Sequence, residues 1–293
     1  MIELKTKRLV ARIPFLIKLA LRYSISRERL LAKRGFVAMS DFVDRRSIVR
    51  TIWGNPDLIL LIFAGAAAEF ALNRAVDWLF FTGKIPNDPI GRLFSTVRYS
   101  QEIVFASEET ALRTLHRINA IHGSVERQRR QNIPDWAFRD VLYMLIDYSE
   151  RSYRLLNKPL SGRQQDELYT VFRRIGEELH IPELPATYVE WQLDRRRHLD
   201  RDLVYSRHTA LLFDQYRRHL GFWRYELLLQ VQALLAPTAV RRLLRLSPNM
   251  LLAAVIPAYG FVDQFNLQSV VHSLLIPPQY WAEVRAFDKI AAA

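Results

Sequence analysis

Two histidines and an aspartate lie in stretches of helical pattern that are otherwise largely apolar, between Arg113 and Tyr153. His116 and His122 belong to the first stretch, and Asp147 stands in the middle of the second, after a polar, arginine-rich loop. An ionisable group on an apolar helix costs free energy unless it is paired or used, so such groups are candidates for metal binding or proton transfer. We therefore expect the functional site to draw on these two helices.

His122 has two interpretations that the sequence leaves open. It is either a ligand or active-site residue, or a buried histidine hydrogen-bonded to a carboxylate such as Asp147 or Asp140. His116 stands six positions before it, which is about 240° around a helix, so the two imidazoles do not share a face.

The elements that position these residues are predicted to be helices. The chain has 293 residues, half of them apolar, with only ten glycines, and the alternating β-branched runs typical of strands are scarce. Leu, Ala, Arg and Glu dominate, and these residue types favour helices. The sequence predicts an all-α protein with a single multi-helix domain at residues 46–293, preceded by a basic amphipathic helical extension at residues 1–45.

Cysteine is absent from the chain. This excludes disulfides, thiolate nucleophiles, iron–sulfur clusters and a thiolate-ligated haem. The seven histidines, with tyrosine, lysine and methionine, are the remaining candidate iron ligands. A chain without disulfides fits a reducing compartment, and we expect a cytoplasmic protein.

The positive charge of the chain is concentrated at its amino terminus. Residues 1–36 contain ten lysines and arginines against Glu3 and Glu28, with apolar side chains at helical spacing among them. A basic amphipathic segment of this kind can lie on an anionic membrane surface. The alternative is an extension that packs on the domain with its basic face in water. No apolar stretch and cleavage site of the kind found in a signal peptide follows the charges.

Two apolar runs are shorter than the roughly 20 residues that a membrane-spanning helix needs. Leu58–Ala68 is followed by Glu69, and Met250–Phe261 contains Pro257 and Gly260. We predict that both runs are buried core helices and that the chain has no transmembrane helix.

Several short motifs follow one another along residues 46–246 in a particular order. The first is Gly54-Asn55-Pro56 with the alanine-rich helix after it, and a later one is Ile121-His122-x-x-Val125. The others are Asp88-Pro89-x-Gly91-Arg92 with Thr96, Tyr99 and Phe105; Asp147 with Tyr153 and Pro159-Leu160-Ser161; Phe172-Arg173-Arg174-Ile175-Gly176; and Leu184-Pro185-Ala186-Thr187. In this order and spacing the chain resembles the family of the MpaB oxygenases and the latex-clearing rubber oxygenases.

The chain departs from that family's pattern at two places. Many members have a His-Pro pair near the end of the alanine-rich helix, where this chain has Asn73-Arg74. Many also have a histidine in a Trp-Val-His element that is thought to ligate iron. Counting back from Asp147 puts that position at or near Leu142, and a leucine cannot ligate iron.

The resemblance implies an α-helical oxygenase that binds haem b and acts on an apolar substrate, either isoprenoid or lipid-like. It makes His122 the candidate metal ligand and haem-binding residue, because His122 stands in a matching element. Arg113 is a second candidate for cofactor binding, through a haem propionate. Arg117 and Asp147 are the candidate catalytic residues, Arg117 because it could polarise bound oxygen.

Two classes of function stay open at this point. The first is a haem-dependent oxygenase-like enzyme; the second is a non-catalytic helical protein that binds a lipid-like ligand or a membrane surface. The run Arg195-Arg196-Arg197-His198 is typical of a solvated helix face with ion pairs. Nucleic acid is not expected as a partner, because no recognisable reading module is present.

Overall fold

Helices make up most of the described chain in the computed structural model of this protein. The structure describes residues 40–81, 88–248 and 277–282. The α-helices within these ranges are α1 (Ile48–Trp53), α2 (Pro56–Phe70), α3 (Asp77–Phe81), α4 (Pro89–Val104), α5 (Glu108–Arg129), α6 (Asp135–Leu156), α7 (Gly162–Glu178), α8 (Tyr188–Arg201), α9 (Arg207–Leu235) and α10 (Thr238–Leu244). Extended pairing in the described ranges is limited to two isolated bridges, Asp41 with Ser107 and Asn73 with Leu203. The all-α prediction is confirmed.

The turn motifs of the sequence are the starting points of helices. The Asn55 side chain accepts hydrogen bonds from the backbone N–H groups of Asp57 and Leu58, at 2.9 and 3.0 Å, and so caps α2. The Asp88 carboxylate accepts from the Gly91 N–H at 2.8 Å and caps α4. These side chains satisfy amide groups that have no partner inside the helix, which fixes where each helix begins.

The two apolar helices α2 and α6 pack closely against each other in the core. Gly65 of α2 lies so near α6 that a Cβ atom at this position would collide with the ring of Tyr148. Leu58–Ala68 falls within α2 and most of its side chains are buried, which confirms the prediction of a core helix. Among the described residues, none of the helices combines the length and the apolar character needed to cross a membrane.

The helix α9 is bent in its middle. Gly221 has φ 72° and ψ 176°, a left-handed backbone conformation that residues with a side chain rarely adopt. Leu212 and Tyr216, before the bend, are buried against Ala67 and Ala71 of the α2 region. The bend therefore divides α9 into two shorter segments, the first of which is anchored to the core.

Two predicted segments lie outside the described residues. These are the basic amphipathic segment 1–36 and the apolar run Met250–Phe261. Both stay predictions, as does the division of the chain between residues 45 and 46.

Candidate functional site

His122 lies on α5 at a partly buried position that faces α6. Its imidazole is packed against the ring of Phe138, with 5.1 Å between the ring centroids. Burial lowers the pKa of His122, and the nearby positive charge of Arg92 lowers it further, while Glu126 has a smaller opposing effect. The imidazole is therefore neutral at pH 7, as a metal ligand must be.

Arg92 lies on α4, close to His122, and is itself partly buried. Its Nη1 is 3.2 Å from the hydroxyl of Thr96 and 3.4 Å from the hydroxyl of Ser95. Within the described ranges no carboxylate forms an ion pair with this guanidinium, and burial lowers the pKa of Arg92. A buried cation with only neutral partners is costly, so this position is suited to receive an anion.

The two arginines predicted from α5 are solvent-exposed and belong to surface ion pairs. Arg113 Nη1 is 2.5 Å from Glu109 Oε1, and Arg117 Nη2 is 2.6 Å from Glu102 Oε2. Arg113 precedes His122 by nine residues, which places it about 180° around the helix, on the opposite face. The structure does not bring Arg113 to the His122 face, and the proposed roles of Arg113 and Arg117 stay predictions.

Asp147 belongs to a different place, a buried ion cluster that we define by Glu69, Asp140, Asp147 and Arg195. Arg195 donates from Nη1 and Nη2 to the two carboxylate oxygens of Glu69, both at 2.6 Å, and from Nη2 to Asp147 at 3.0 Å. Its contact with Asp140 is longer, at 3.4 Å. The cluster joins α2, α6 and α8, and the catalytic role predicted for Asp147 stays a prediction.

The same cluster corrects one expectation about α8. Arg196 and Arg197 are exposed, as expected of a solvated face, but Arg195 is fully buried. The physical reason is that the carboxylates of Glu69 and Asp147 converge on its guanidinium from other helices, which offsets the cost of removing the charge from water.

Asp140 is held in its protonated form. Burial raises its pKa to about 8, the charge of Glu69 contributes to the rise, and Arg195 opposes it. The amide of Asn73 donates a hydrogen bond to its carboxyl group. Asp140 is thus bonded to Asn73, and Asp147 is bonded to Arg151 and Arg195. Neither side chain is hydrogen-bonded to His122. His122 is therefore not paired with either of these two acidic groups, and its role as a ligand or active-site residue stays a prediction.

A second buried histidine, His198, follows Arg195 on the same face of α8. Its Nδ1 lies 2.7 Å from Asp202 Oδ2, and the edge of its ring meets Tyr143, with 5.3 Å between the centroids. Burial lowers the pKa of His198 and outweighs the nearby carboxylates. The charged run around this histidine indicated a solvated face, but its helical spacing from the buried Trp191 is typical of a buried position.

The two positions at which the chain departs from the family pattern are both buried. Leu142 packs in the core, with its Cδ2 atom 2.7 Å from the place that a Cβ of Gly176 would occupy. Asn73 is engaged with Asp140. Neither position offers a metal ligand, and the described residues contain no group of three or more His, Asp or Glu side chains that could hold a metal ion.

These helices carry the motifs that the sequence analysis compared with one protein family. The model of the family described as ER-bound oxygenase mpaB/B'/Rubber oxygenase, catalytic domain, matches residues 54–261. The chain belongs to this family. Comparisons with curated proteins and with solved structures gave no match. Within the rubber oxygenase and mpaB catalytic domain, the match spans α2 to α10 and so includes Arg92, His122 and the buried ion cluster.

Two residues of functional interest were not predicted as such. Arg92 was recognised only as part of an Asp-Pro-x-Gly-Arg motif, and Arg195 only as part of a charged run. A motif position cannot reveal whether an arginine has a carboxylate partner, because the partner comes from elsewhere in the chain.

Proposed function

We propose that this protein is a haem-dependent oxygenase that acts on an apolar substrate, isoprenoid or lipid-like. Its family defines an oxygenase catalytic domain. The observation that supports haem in this chain is that a neutral imidazole, His122, lies near a partly buried guanidinium, Arg92, that has no carboxylate partner among the described residues.

The residues present fit haem b in three respects. His122 offers a neutral imidazole, and the described residues give this imidazole no hydrogen bond. Phe138 supplies an apolar surface beside it. Arg92 offers a positive charge for a propionate, held in place by the hydroxyls of Ser95 and Thr96. When bound, haem supplies the iron at which dioxygen reacts.

We assign Arg92 the propionate-binding role that the sequence analysis gave to Arg113. Arg113 is exposed, already paired with Glu109, and on the far face of α5. Arg117 is paired with Glu102, and Asp147 is paired with Arg195. A catalytic role for either residue requires its ion pair to open. In the folded protein the Asp147 carboxylate helps to neutralise the charge of Arg195.

A substitution of Arg92 tests this assignment. Arg92→Gln should weaken haem binding by on the order of tenfold or more, because a charge-assisted hydrogen bond contributes roughly 1.5–3 kcal/mol. Titration of the purified protein with hemin, followed by absorption, measures the change. Arg98→Gln on the same helix is the matched control, since the Arg98 side chain is exposed. Equal affinities in the two variants would contradict the role of Arg92.

Turnover is tested separately from haem binding. The haem-loaded protein is incubated with squalene under labelled dioxygen, and the products are analysed by mass spectrometry. We expect label in a carbonyl or hydroxyl product. A protein that binds haem but incorporates no label from this or any other isoprenoid or lipid tested would contradict the oxygenase proposal.

A second candidate function is favoured by Leu142 and Asn73, which stand where many members of the family have histidines. It is a non-catalytic scaffold that binds a lipid-like ligand or an anionic membrane surface. A colourless protein that rejects hemin yet binds a fluorescent fatty acid would favour this candidate. Deletion of residues 1–36 should reduce flotation with anionic vesicles if that basic segment contributes to anchoring.

A further inference from the structure

An exposed aromatic pair lies at the bend of α9. Phe222 and Trp223 directly follow Gly221, and their side chains are 58% and 82% exposed. The two rings contact each other edge to face, with 5.2 Å between their centroids. Large aromatic side chains exposed together are uncommon on a protein surface unless they bind something.

The bend presents this pair at the tip of a folded-back segment. Thr209, before the bend, donates from its hydroxyl to the Ala71 carbonyl at 2.7 Å, and Gln232, after the bend, donates from its amide to the Ala64 carbonyl at 3.1 Å. On straight helices the two α9 residues would be about 34 Å apart and the two acceptors only about 10 Å apart, so the second part of α9 must return beside the first. Behind the tip, Tyr216 is buried and Leu220 packs with it against the α2 region. The tip is thus fixed to the core while its aromatic rings face outward.

Arginines flank the aromatic pair on both sides. Arg217 and Arg218 occupy the last turn before the bend and are exposed, and Arg224 follows Trp223 directly. Arg218 forms a surface ion pair with Asp214 at 2.7 Å, in which 68% of the arginine side chain stays exposed. Asp214 and Glu226 are the acidic residues of the same turns, so three arginines stand against two acidic side chains beside the rings. Aromatic rings with an excess of positive charge beside them match the layout of an anionic lipid surface, where rings enter the interface and cations meet the headgroups.

We infer that Phe222 and Trp223 form a membrane-docking tip that inserts into the interface of an anionic bilayer. Tryptophan and phenylalanine supply the buried apolar area, and Arg217, Arg218 and Arg224 supply the attraction to anionic headgroups. The strength of peripheral binding increases with both the apolar area that enters the interface and the electrostatic attraction to anionic lipids. This inference is independent of the haem proposal, because it uses neither His122 nor Arg92.

Vesicle binding of the full chain tests the tip. The protein is floated with phosphatidylcholine vesicles, with and without phosphatidylglycerol. The double variant Phe222→Ser, Trp223→Ser should lower the partition coefficient on anionic vesicles by on the order of tenfold or more, since the buried aromatic area is lost. The matched control is Val189→Ser, Leu193→Ser, a pair on α8 that is 63% and 51% exposed; it should bind like the unaltered protein.

The position of Trp223 in the bilayer gives a second readout. Brominated lipids should quench tryptophan fluorescence in the unaltered protein, and Trp223→Phe should remove most of that quenching while vesicle binding persists. If residues 1–36 alone hold the protein on vesicles, the double serine variant will float normally and quenching will be absent, which overturns the inference. Self-association through the tip would also overturn it, and would appear in sedimentation without lipid as a dimer that the double variant does not form.

Discussion

Arg195 holds a central place among the buried polar side chains. It is the common partner of three buried acidic side chains, the carboxylates of Glu69 and Asp147 and the protonated carboxyl group of Asp140, and it joins three helices. Replacing it with an apolar side chain leaves the Glu69 and Asp147 carboxylates buried without their common counter-charge. We predict that Arg195→Met lowers the free energy of unfolding by about 3–5 kcal/mol, measured by urea denaturation.

The neighbouring arginine provides the control for this prediction. Arg196 is exposed, and Arg196→Met should change the free energy of unfolding by less than about 0.5 kcal/mol. An Arg195→Met variant as stable as the unaltered protein would show that the cluster contributes no net stabilisation.

At the residue scale the sequence predicted one part of the site and missed another. His122 was found because an imidazole among apolar helical neighbours is conspicuous. Arg195 was missed because its carboxylate partners are distant in sequence: Glu69 is 126 residues away and Asp147 is 48. Neighbouring residues cannot show which of three successive arginines faces the core when the partners come from other helices.

At the scale of elements, the pairing of α2 with α6 depends on a residue without a side chain. A methyl group at Gly65 would collide with the ring of Tyr148, which is itself fully buried. We predict that Gly65→Ala lowers the free energy of unfolding by about 1–3 kcal/mol, because the two helices must separate or the ring must leave its preferred rotamer. Thermal and urea denaturation measure the loss.

Gly162 is the matched control for this substitution. It lies at the start of α7, and a methyl group there would meet nothing within 4 Å. Gly162→Ala should be neutral or stabilising by up to about 1 kcal/mol, since alanine restricts the unfolded chain. Equal effects of the two substitutions would argue against close packing of α2 on α6.

The beginnings of helices were more predictable than their interruptions. Asn55 and Asp88 are capping residues next to prolines, and both start helices in the structure. The break between α8 and α9 has no such signal, because neither proline nor glycine occurs from Tyr188 to Leu220. Its only local mark is the capping box of Ser206 with Thr209. Between α8 and α9 the backbone pairs with the end of α2 and not within a helix. The N–H of Arg74 donates to the Asp202 carbonyl at 3.0 Å, and the N–H of Val204 donates to the Leu72 carbonyl at 2.7 Å.

For the molecule as a whole, the buried ion cluster makes stability depend on pH. Asp140 has its pKa raised from 3.8 to about 8, so the folded state holds a proton that the unfolded state releases above pH 4. The contribution of Asp140 to the free energy of unfolding should therefore fall as pH rises from about 4 to about 8, by up to about 1.4 kcal/mol per pH unit, and then level off. Denaturation measured across this range tests the prediction.

His198 contributes to the same profile with the opposite sign. Burial lowers its pKa, so below pH 6.5 the unfolded state takes up a proton that the folded state does not, and this offsets the gain in stability that Asp140 gives on acidification. Asp140→Asn should flatten the decline above pH 6.5, whereas Asp166→Asn at an exposed site should leave it unchanged. A decline that persists in Asp140→Asn would assign it to another group.

At this scale the sequence was sufficient for fold class and family. Helix-favouring composition predicted the all-α architecture, and the order of short motifs predicted the family that the match over residues 54–261 shows. The individual roles of side chains were less accessible, because they depend on contacts between helices that are remote in sequence. The bend at Gly221 and its exposed aromatic tip were likewise not predicted from the sequence.

The proposal that His122 holds a haem iron is tested most directly by the absorption spectrum of two variants. His122→Ala and His116→Ala remove imidazoles from the same helix, one partly buried beside Phe138 and one exposed. After incubation with hemin and removal of the excess, we expect a Soret band in the unaltered protein and in His116→Ala, and its loss or a marked shift in His122→Ala. A Soret band of unchanged position and intensity in His122→Ala would contradict the account.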